Sequence, residues 1–340
     1  EYQDVILNRL YLNNGDQLTE DPSTIFPSLF NGSSAWGDYD NDGDPDLIIS
    51  GQTASSASSV TRFFMNEPTG RLIEDTNQDL AGLKAGSFKF ADLDQDGDQD
   101  LIMSGWNILA SSNITKIYKN EPLGTFTEIE TGINFSVSYG TIEVSDFDLD
   151  GDLDIVISGA DSVSNFAMDV HSLSAQLFRN NSDFSFTSIQ TFPDVRIANF
   201  MDINLDLKPD LILNGTTEIE EMNSSFSHVY LNNSSNSSSP PNAPESLTAF
   251  AVSNRAIFTW GAGSDATDIT SGLRYNLKIG NQSGGASLLS PSIPYSSSNI
   301  GQRLIREFNN IPHGEYYWSV QTVDFAGNLS SWSDEDTLFI

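Results

Sequence analysis

Asp38-Tyr39-Asp40-Asn41-Asp42-Gly43-Asp44-Pro45-Asp46 runs directly into Leu47-Ile48-Ile49-Ser50-Gly51. A carboxylate stands at every second position, a glycine at the sixth, and an apolar segment follows at once. The pattern returns as Asp92-Leu93-Asp94-Gln95-Asp96-Gly97-Asp98-Gln99-Asp100 before Leu101-Ile102-Met103-Ser104-Gly105. It returns again as Asp146-Phe147-Asp148-Leu149-Asp150-Gly151-Asp152-Leu153-Asp154 before Ile155-Val156-Ile157-Ser158-Gly159. A worn copy reads Asp202-Ile203-Asn204-Leu205-Asp206-Leu207-Lys208-Pro209-Asp210 before Leu211-Ile212-Leu213-Asn214-Gly215. The loops start about 54 residues apart, and a fixed period of that length marks a repeat architecture.

Working outward from the loop gives one repeat. A strand (Ser34-Ala35-Trp36-Gly37) leads into the loop, and an apolar strand (Leu47 to Gly51) leaves it. After a polar connection, Gln52 to Ser59, a third strand runs from Val60 to Asn66, and a fourth covers Arg71-Leu72-Ile73-Glu74. The third strand ends in an aromatic residue, one variable residue and Asn. That ending recurs at Tyr11-Leu12-Asn13, Phe64-Met65-Asn66, Tyr118-Lys119-Asn120, Phe178-Arg179-Asn180 and Tyr230-Leu231-Asn232. Five strand ends against four loops mean that the sequence opens in the middle of a repeat. Four short strands per repeat are the strand count of a propeller blade, and no segment sustains a helical period. The expected fold is all-β: a β-propeller of four full blades plus a partial one over residues 1–233.

Residues 234–244 are rich in Ser, Asn and Pro and read as a linker, flexible at the Ser end and stiffer at the Pro end. Residues 245–340 lack the acidic period. Strands are expected at Ser246–Val252, Ala256–Trp260, Arg274–Gly280, Arg303–Phe308, Tyr316–Asp324 and Asp336–Ile340. They form a β-sandwich with Trp260 and Tyr316-Tyr317-Trp318 in its core.

The 340 residues carry 47 acidic and 15 basic side chains, a formal net charge of −32. Such a surface repels nucleic acid and anionic membranes. No apolar run approaches the roughly 20 residues that span a bilayer, so direct membrane insertion is not expected. There is no cysteine, which suits an exported bacterial protein stabilised by metal rather than by disulfides, and suits a cytosolic protein as well. The start, Glu1-Tyr2-Gln3-Asp4, has no signal-peptide character and reads as a mature or cut chain.

Hard divalent cations take oxygen ligands, and Ca2+ takes six to eight of them. A nine-residue turn with carboxylates at positions 1, 3, 5 and 9 and a main-chain carbonyl at 7 can wrap one ion. Glycine at position 6 lets the backbone pass through positive φ. The candidate ligands are Asp38, Asp40, Asp42, Asp44 and Asp46; Asp92, Asp94, Asp96, Asp98 and Asp100; and Asp146, Asp148, Asp150, Asp152 and Asp154. Asp202, Asn204, Asp206, Lys208 and Asp210 make a weakened fourth set, in which Leu207 replaces Gly and Lys208 brings a positive charge. An EF-hand needs a Glu at position 12 and flanking helices. Here position 12 is Ile49, Met103, Ile157 or Leu213, inside a strand. Mg2+ tolerates a crowded all-protein cage poorly, which leaves Ca2+.

The Asp-x-Asp-x-Asp-Gly-x-x-Asp-hydrophobic motif resembles the FG-GAP or VCBS repeats of integrin α-chains and of secreted bacterial proteins. The Phe-Gly element of that family survives only as Trp36-Gly37, becoming Phe90-Ala91, Val144-Ser145 and Phe200-Met201. The stretches Gly272–Gly280 and Gly314–Asp324 resemble a fibronectin type III-like module. Those resemblances imply a bacterial extracellular or cell-surface protein, part of a larger chain or assembly. Its role would be adhesion, protein binding or surface assembly, with other surface or secreted proteins or extracellular glycans as partners.

Nothing points to catalysis. His171, His228 and His313 form no metal-binding pair, and no thiol, Gly-x-Ser-x-Gly elbow or phosphate loop occurs. The expected function is therefore non-enzymatic. A carbohydrate-binding module and a calcium-containing polysaccharide lyase or hydrolase are the second and third readings. Trp106 and Trp332 are candidate sugar platforms, more simply read as packing residues.

Overall fold

The computed structural model describes residues 8–13, 17–42, 44–53, 58–67, 70–121, 124–163, 170–219, 222–252, 255–291, 298–309 and 311–340. Among them every regular element is a β-strand, apart from a 3-10 turn at Thr270–Gly272. All strand pairs are antiparallel.

The chain opens with a hairpin, β1 (Leu10–Asn13) and β2 (Leu18–Asp21). Unit I follows as β3 (Leu29–Gly37), β4 (Asp46–Thr53), β5 (Ser59–Asn66) and β6 (Leu72–Asp75). Unit II is β7 (Lys84–Ala91), β8 (Asp100–Asn107), β9 (Ser112–Glu121) and β10 (Thr125–Ile129). Unit III is β11 (Ser138–Ser145), β12 (Asp154–Val163), β13 (Val170–Asn180) and β14 (Phe186–Pro193). In each, four strands lie in sequence order, with the acidic loop joining the first to the second.

Unit IV departs from expectation. Among the described residues it has only β15 (Val195–Met201), β16 (Asp210–Ile219) and β17 (Met222–Tyr230). The chain then passes into the Ser- and Asn-rich segment, which has no alternating apolar pattern with which to build a fourth strand. Among the described residues there are thus three four-stranded units, not four. The Ser-rich segment is also anchored rather than loose: Ser234 Oγ and Asn236 Nδ2 both donate to the carbonyl of Asp148, at 3.4 and 2.8 Å.

The units pack face to face in series. Ile48 and Phe63 of unit I meet Leu101, Met103 and Tyr118 of unit II. Ile102 and Ile117 of unit II meet Ile155, Ile157 and Phe178 of unit III. Val156 and Leu177 of unit III meet Leu211 and Leu213 of unit IV. In units II and III alternate residues of the second strand therefore face opposite neighbours, and both faces are buried. That is why these strands read as unbroken apolar runs. On unit IV the outward face is uncovered. Phe63, Ile117 and Leu177 are 1%, 1% and 6% exposed, whereas the equivalent Val229 is 52% exposed.

Each first strand carries a bulge whose register shift falls at Phe30/Ser33, Lys84/Ser87, Ser138/Thr141 and Val195/Ile197. A left-handed residue sits within the first three, Asn31, Ala85 and Tyr139, and another, Asp194, immediately before the fourth. Opposite it comes the recurrent Gly after the apolar strand. At Gly105 an added Cβ would lie 2.7 Å from the Gly86 Cα, so the two backbones meet only because both are glycine.

The C-terminal module has two three-stranded sheets. One is β18 (Thr248–Val252), β19 (Arg255–Thr259) and β21 (Ile305–Asn309); the other is β20 (Arg274–Gly280), β22 (Glu315–Val323) and β23 (Asp336–Phe339). Phe258 and Trp318 meet edge to face across the core at 5.1 Å, and Trp260 meets Tyr275 at 6.0 Å.

The Asn that ends each third strand is what locks units together. Asn120 Nδ2 donates to Gln99 O of its own loop and to Tyr39 O of the preceding one, at 3.1 and 2.6 Å. Asn180 does the same with Leu153 O and Leu93 O, and Asn232 with Pro209 O and Phe147 O. Replacing Asn180 by Ala leaves two buried carbonyls without this donor. It should lower unfolding free energy by about 2 kcal/mol, read from the urea midpoint.

Candidate metal centres

Four loops of one design stand at the same end of the units. The ninth-position carboxylate anchors each. Asp46, Asp100, Asp154 and Asp210 are 0% exposed. One oxygen of each accepts the N–H of loop position 2: Tyr39 at 3.1 Å, Leu93 at 2.9 Å, Phe147 at 3.0 Å and Ile203 at 3.0 Å. The other accepts the N–H of the strand-ending Asn: Asn66 at 2.8 Å, Asn120 at 2.9 Å, Asn180 at 2.9 Å and Asn232 at 2.7 Å.

The first-position carboxylate closes the turn. Asp92 accepts from Asp96 N and Gly97 N, both at 3.1 Å. Asp146 accepts from Asp150 N and Gly151 N at 3.0 Å, and Asp202 from Asp206 N at 3.1 Å and Leu207 N at 2.9 Å. Gly97 and Gly151 take the expected positive φ, 98° and 95°. Gly43 lies outside the described residues. Sequence reasoning missed a second left-handed position, the fourth: Asn41, Gln95, Leu149 and Leu205 have φ of 57–64°. Two of these are leucines, so composition carries no signal for the conformation; only the turn geometry imposes it.

The turn brings carboxylates together. Ligand oxygens of Asp38, Asp40 and Asp42 lie within 4.8 Å of one another, as do those of Asp92, Asp94 and Asp96 and those of Asp146, Asp148 and Asp154. The fourth loop makes no such group among the described residues. Its Asn204 Nδ2 donates to Asp206, and Lys208 Nζ turns away to the Ser234 carbonyl.

Burial and crowding raise the carboxyl pKa values. Burial comes first in every case, with neighbouring carboxylates adding to it: Asp46, Asp100 and Asp146 are pushed up to about 8 and Asp154 to about 9. Asp92 and Asp152 rise to about 6. Basic side chains answer some of this charge. Lys119, the variable residue of its aromatic-x-Asn ending, pairs with Asp94 and, at 2.9 Å, with Asp96. Arg303 of the C-terminal module reaches Asp38 at 2.9 Å.

In the third loop Oδ1 of Asp148 and Oδ1 of Asp152 are buried without a hydrogen-bond partner. Buried anionic oxygens with no donor are what an oxygen-seeking cation satisfies, so these residues fit Ca2+. Asp152, expected to offer only its main-chain carbonyl, presents a buried side chain as well.

Two segments, residues 3–49 and 92–157, match the FG-GAP-like repeat family. They contain the first three loops and make up less than half of the chain. The fourth loop lies outside the matched segments. No curated protein matches the chain. A similar solved structure is the extracellular domain of a hybrid two-component system from B. thetaiotaomicron, at 12% identity and a TM-score of 0.31. The likeness covers 89% of this chain and 43% of that one, so the chain spans less than half of that structure's length. Among the described residues no helix is long and apolar enough to cross a membrane.

The loop geometry makes two predictions. Leu207 holds φ +65°, where a side chain costs roughly 1–2 kcal/mol, partly offset by the chain entropy of glycine. Leu207→Gly should stabilise the protein by about 1 kcal/mol in urea unfolding. With calcium chelated, raised carboxyl pKa values mean that the folded state binds more protons than the unfolded chain, whose carboxylates titrate near 4. Stability should therefore climb as pH falls from about 9 through 6. A urea midpoint no higher at pH 6 than at pH 9 contradicts this.

Proposed function

We propose that residues 1–233 are part of a calcium-stabilised β-propeller whose blades are the units described above. Residues 245–340 are a fibronectin type III-like module. In this reading the chain works outside the cell as a non-enzymatic module for adhesion, protein binding or surface assembly. The observation that carries the reading is the recurrence of one loop geometry with converging carboxylates in three successive units.

In the third loop Asp146, Asp148 and Asp154 would hold the ion, with Asp150 and Asp152 beside them. Bound calcium supplies charge neutralisation and rigidity, and no chemistry. The chain's own part is to preform the turn through the main-chain N–H groups bound by Asp146 and Asp154. A cation in the third loop also meets the buried oxygens of Asp148 and Asp152. The sandwich suits a spacer or docking role, since the acidic period stops before residue 245.

Calorimetric titration of chelator-treated protein with CaCl2 should show saturable binding. Calcium at 100 times its Kd should add about 2.7 kcal/mol per site to the unfolding free energy. Asp148→Asn with Asp150→Asn should remove one site and leave the others. A melting temperature that is the same in calcium and in chelator refutes a structural role for the ion.

A further inference from the structure

The C-terminal module does not hang free; it touches all four loops. Arg303 Nε lies 2.9 Å from Asp38 Oδ2 with both side chains mostly buried, and Arg306 Nη1 lies 3.3 Å from Asp44 Oδ1. Gln302 Nε2 donates to Asp92 Oδ2 at 2.7 Å in the second loop. Asp146 N donates to Phe325 O at 3.3 Å in the third. Asn328 Nδ2 donates to Leu207 O at 3.4 Å in the fourth.

These contacts differ in kind. At the third and fourth loops the module meets main-chain groups and leaves the ligand carboxylates to the loop. At the first loop it brings two guanidinium groups to two of the five carboxylates. Asp38 is the first-position residue and belongs to the converging trio with Asp40 and Asp42. A guanidinium bound there spends the same negative charge that a divalent cation needs, and it is desolvated enough for the interaction to count.

We propose that docking of the C-terminal module and binding of a divalent cation in the first loop oppose one another through Arg303 and Arg306. This rests on the reading of the loops as calcium sites. Coupling between two binding events is reciprocal. Whatever factor the docked arginines subtract from calcium affinity at the first loop, calcium subtracts from docking. The first loop becomes the one at which calcium concentration is read out as module position, while the third stays a fixed structural site.

The test uses the full chain with Arg303→Gln and Arg306→Gln together, titrated with CaCl2 by calorimetry. One site should tighten by about five-fold or more, with the remaining sites unchanged. Lys278, which lies over the Trp332 ring at 4.5 Å, serves as the charge control. Lys278→Gln should leave every site unchanged. Small-angle scattering supplies the reciprocal reading: saturating calcium should enlarge the radius of gyration of the original protein and change that of the double variant less. Arg306→Gln alone, which keeps the closer Arg303 pair, should tighten the same site by a smaller factor. Superimposable isotherms for original and double variant overturn the coupling while leaving the loops as calcium sites. Equal tightening in Lys278→Gln overturns it as well, by making it a general charge effect. No heat in any protein overturns the reading of the loops and the coupling with it.

Discussion

The physical core of the molecule is a carboxylate buried to 0% exposure that accepts two main-chain N–H groups. Asp46, Asp100, Asp154 and Asp210 each tie the second residue of a loop to the Asn ending the third strand of the same unit. A buried anion without such donors is unaffordable in an apolar setting, and a turn without such an acceptor leaves its N–H groups orphaned. Each solves the other's problem. The apolar strand can begin at the very next residue because the ninth-position Asp has already closed the loop.

From that contact the order spreads sideways. The Asn whose N–H reaches the ninth-position Asp uses its side chain to reach the preceding unit's loop. A neighbour is thereby registered at the loop end by hydrogen bonds and along the strands by apolar packing. Position-four side chains add further links: Asn41 reaches Asp98, and Gln95 reaches the Gly151 carbonyl. The loop is therefore part of the wall between units and not an appendage of one sheet.

Much of this was legible in the sequence because it repeats. The period, the order of strands in a unit and the aromatic-x-Asn ending all appear in the one-dimensional pattern, and every sandwich strand lies within a few residues of its expected place. What the sequence hid is what repetition cannot mark. Leu149 and Leu205 adopt positive φ though nothing in leucine asks for it. Lys119 occupies the variable slot of its motif, so its pairing with Asp94 and Asp96 could not be read from the pattern. Arg303 lies far from Asp38 along the chain and meets it only through the folding of two modules. The missing fourth strand of unit IV had a visible sign, the absence of apolar alternation after Asn232, which the strength of the period masked.

The fourth loop separates two roles that the first three combine. It lacks the glycine, the third-position carboxylate and the seventh-position acid, and its carboxylates form no converging trio. It nonetheless keeps the turn: Asp202 binds the N–H groups of Asp206 and Leu207, and Asp210 binds those of Ile203 and Asn232. Leu207 even bears positive φ to preserve it. A strained residue persists only where its surroundings over-determine the backbone. Here the surroundings are the two carboxylates at the ends of the loop. The hydrogen-bonding frame anchored at positions one and nine thus survives the loss of the glycine and of the third-position carboxylate. Positions three and five also accept main-chain N–H groups, as Asn204 Oδ1 does from Asp206 and Asp206 Oδ1 from Lys208, so the turn needs oxygen acceptors there but not a carboxylate at each one.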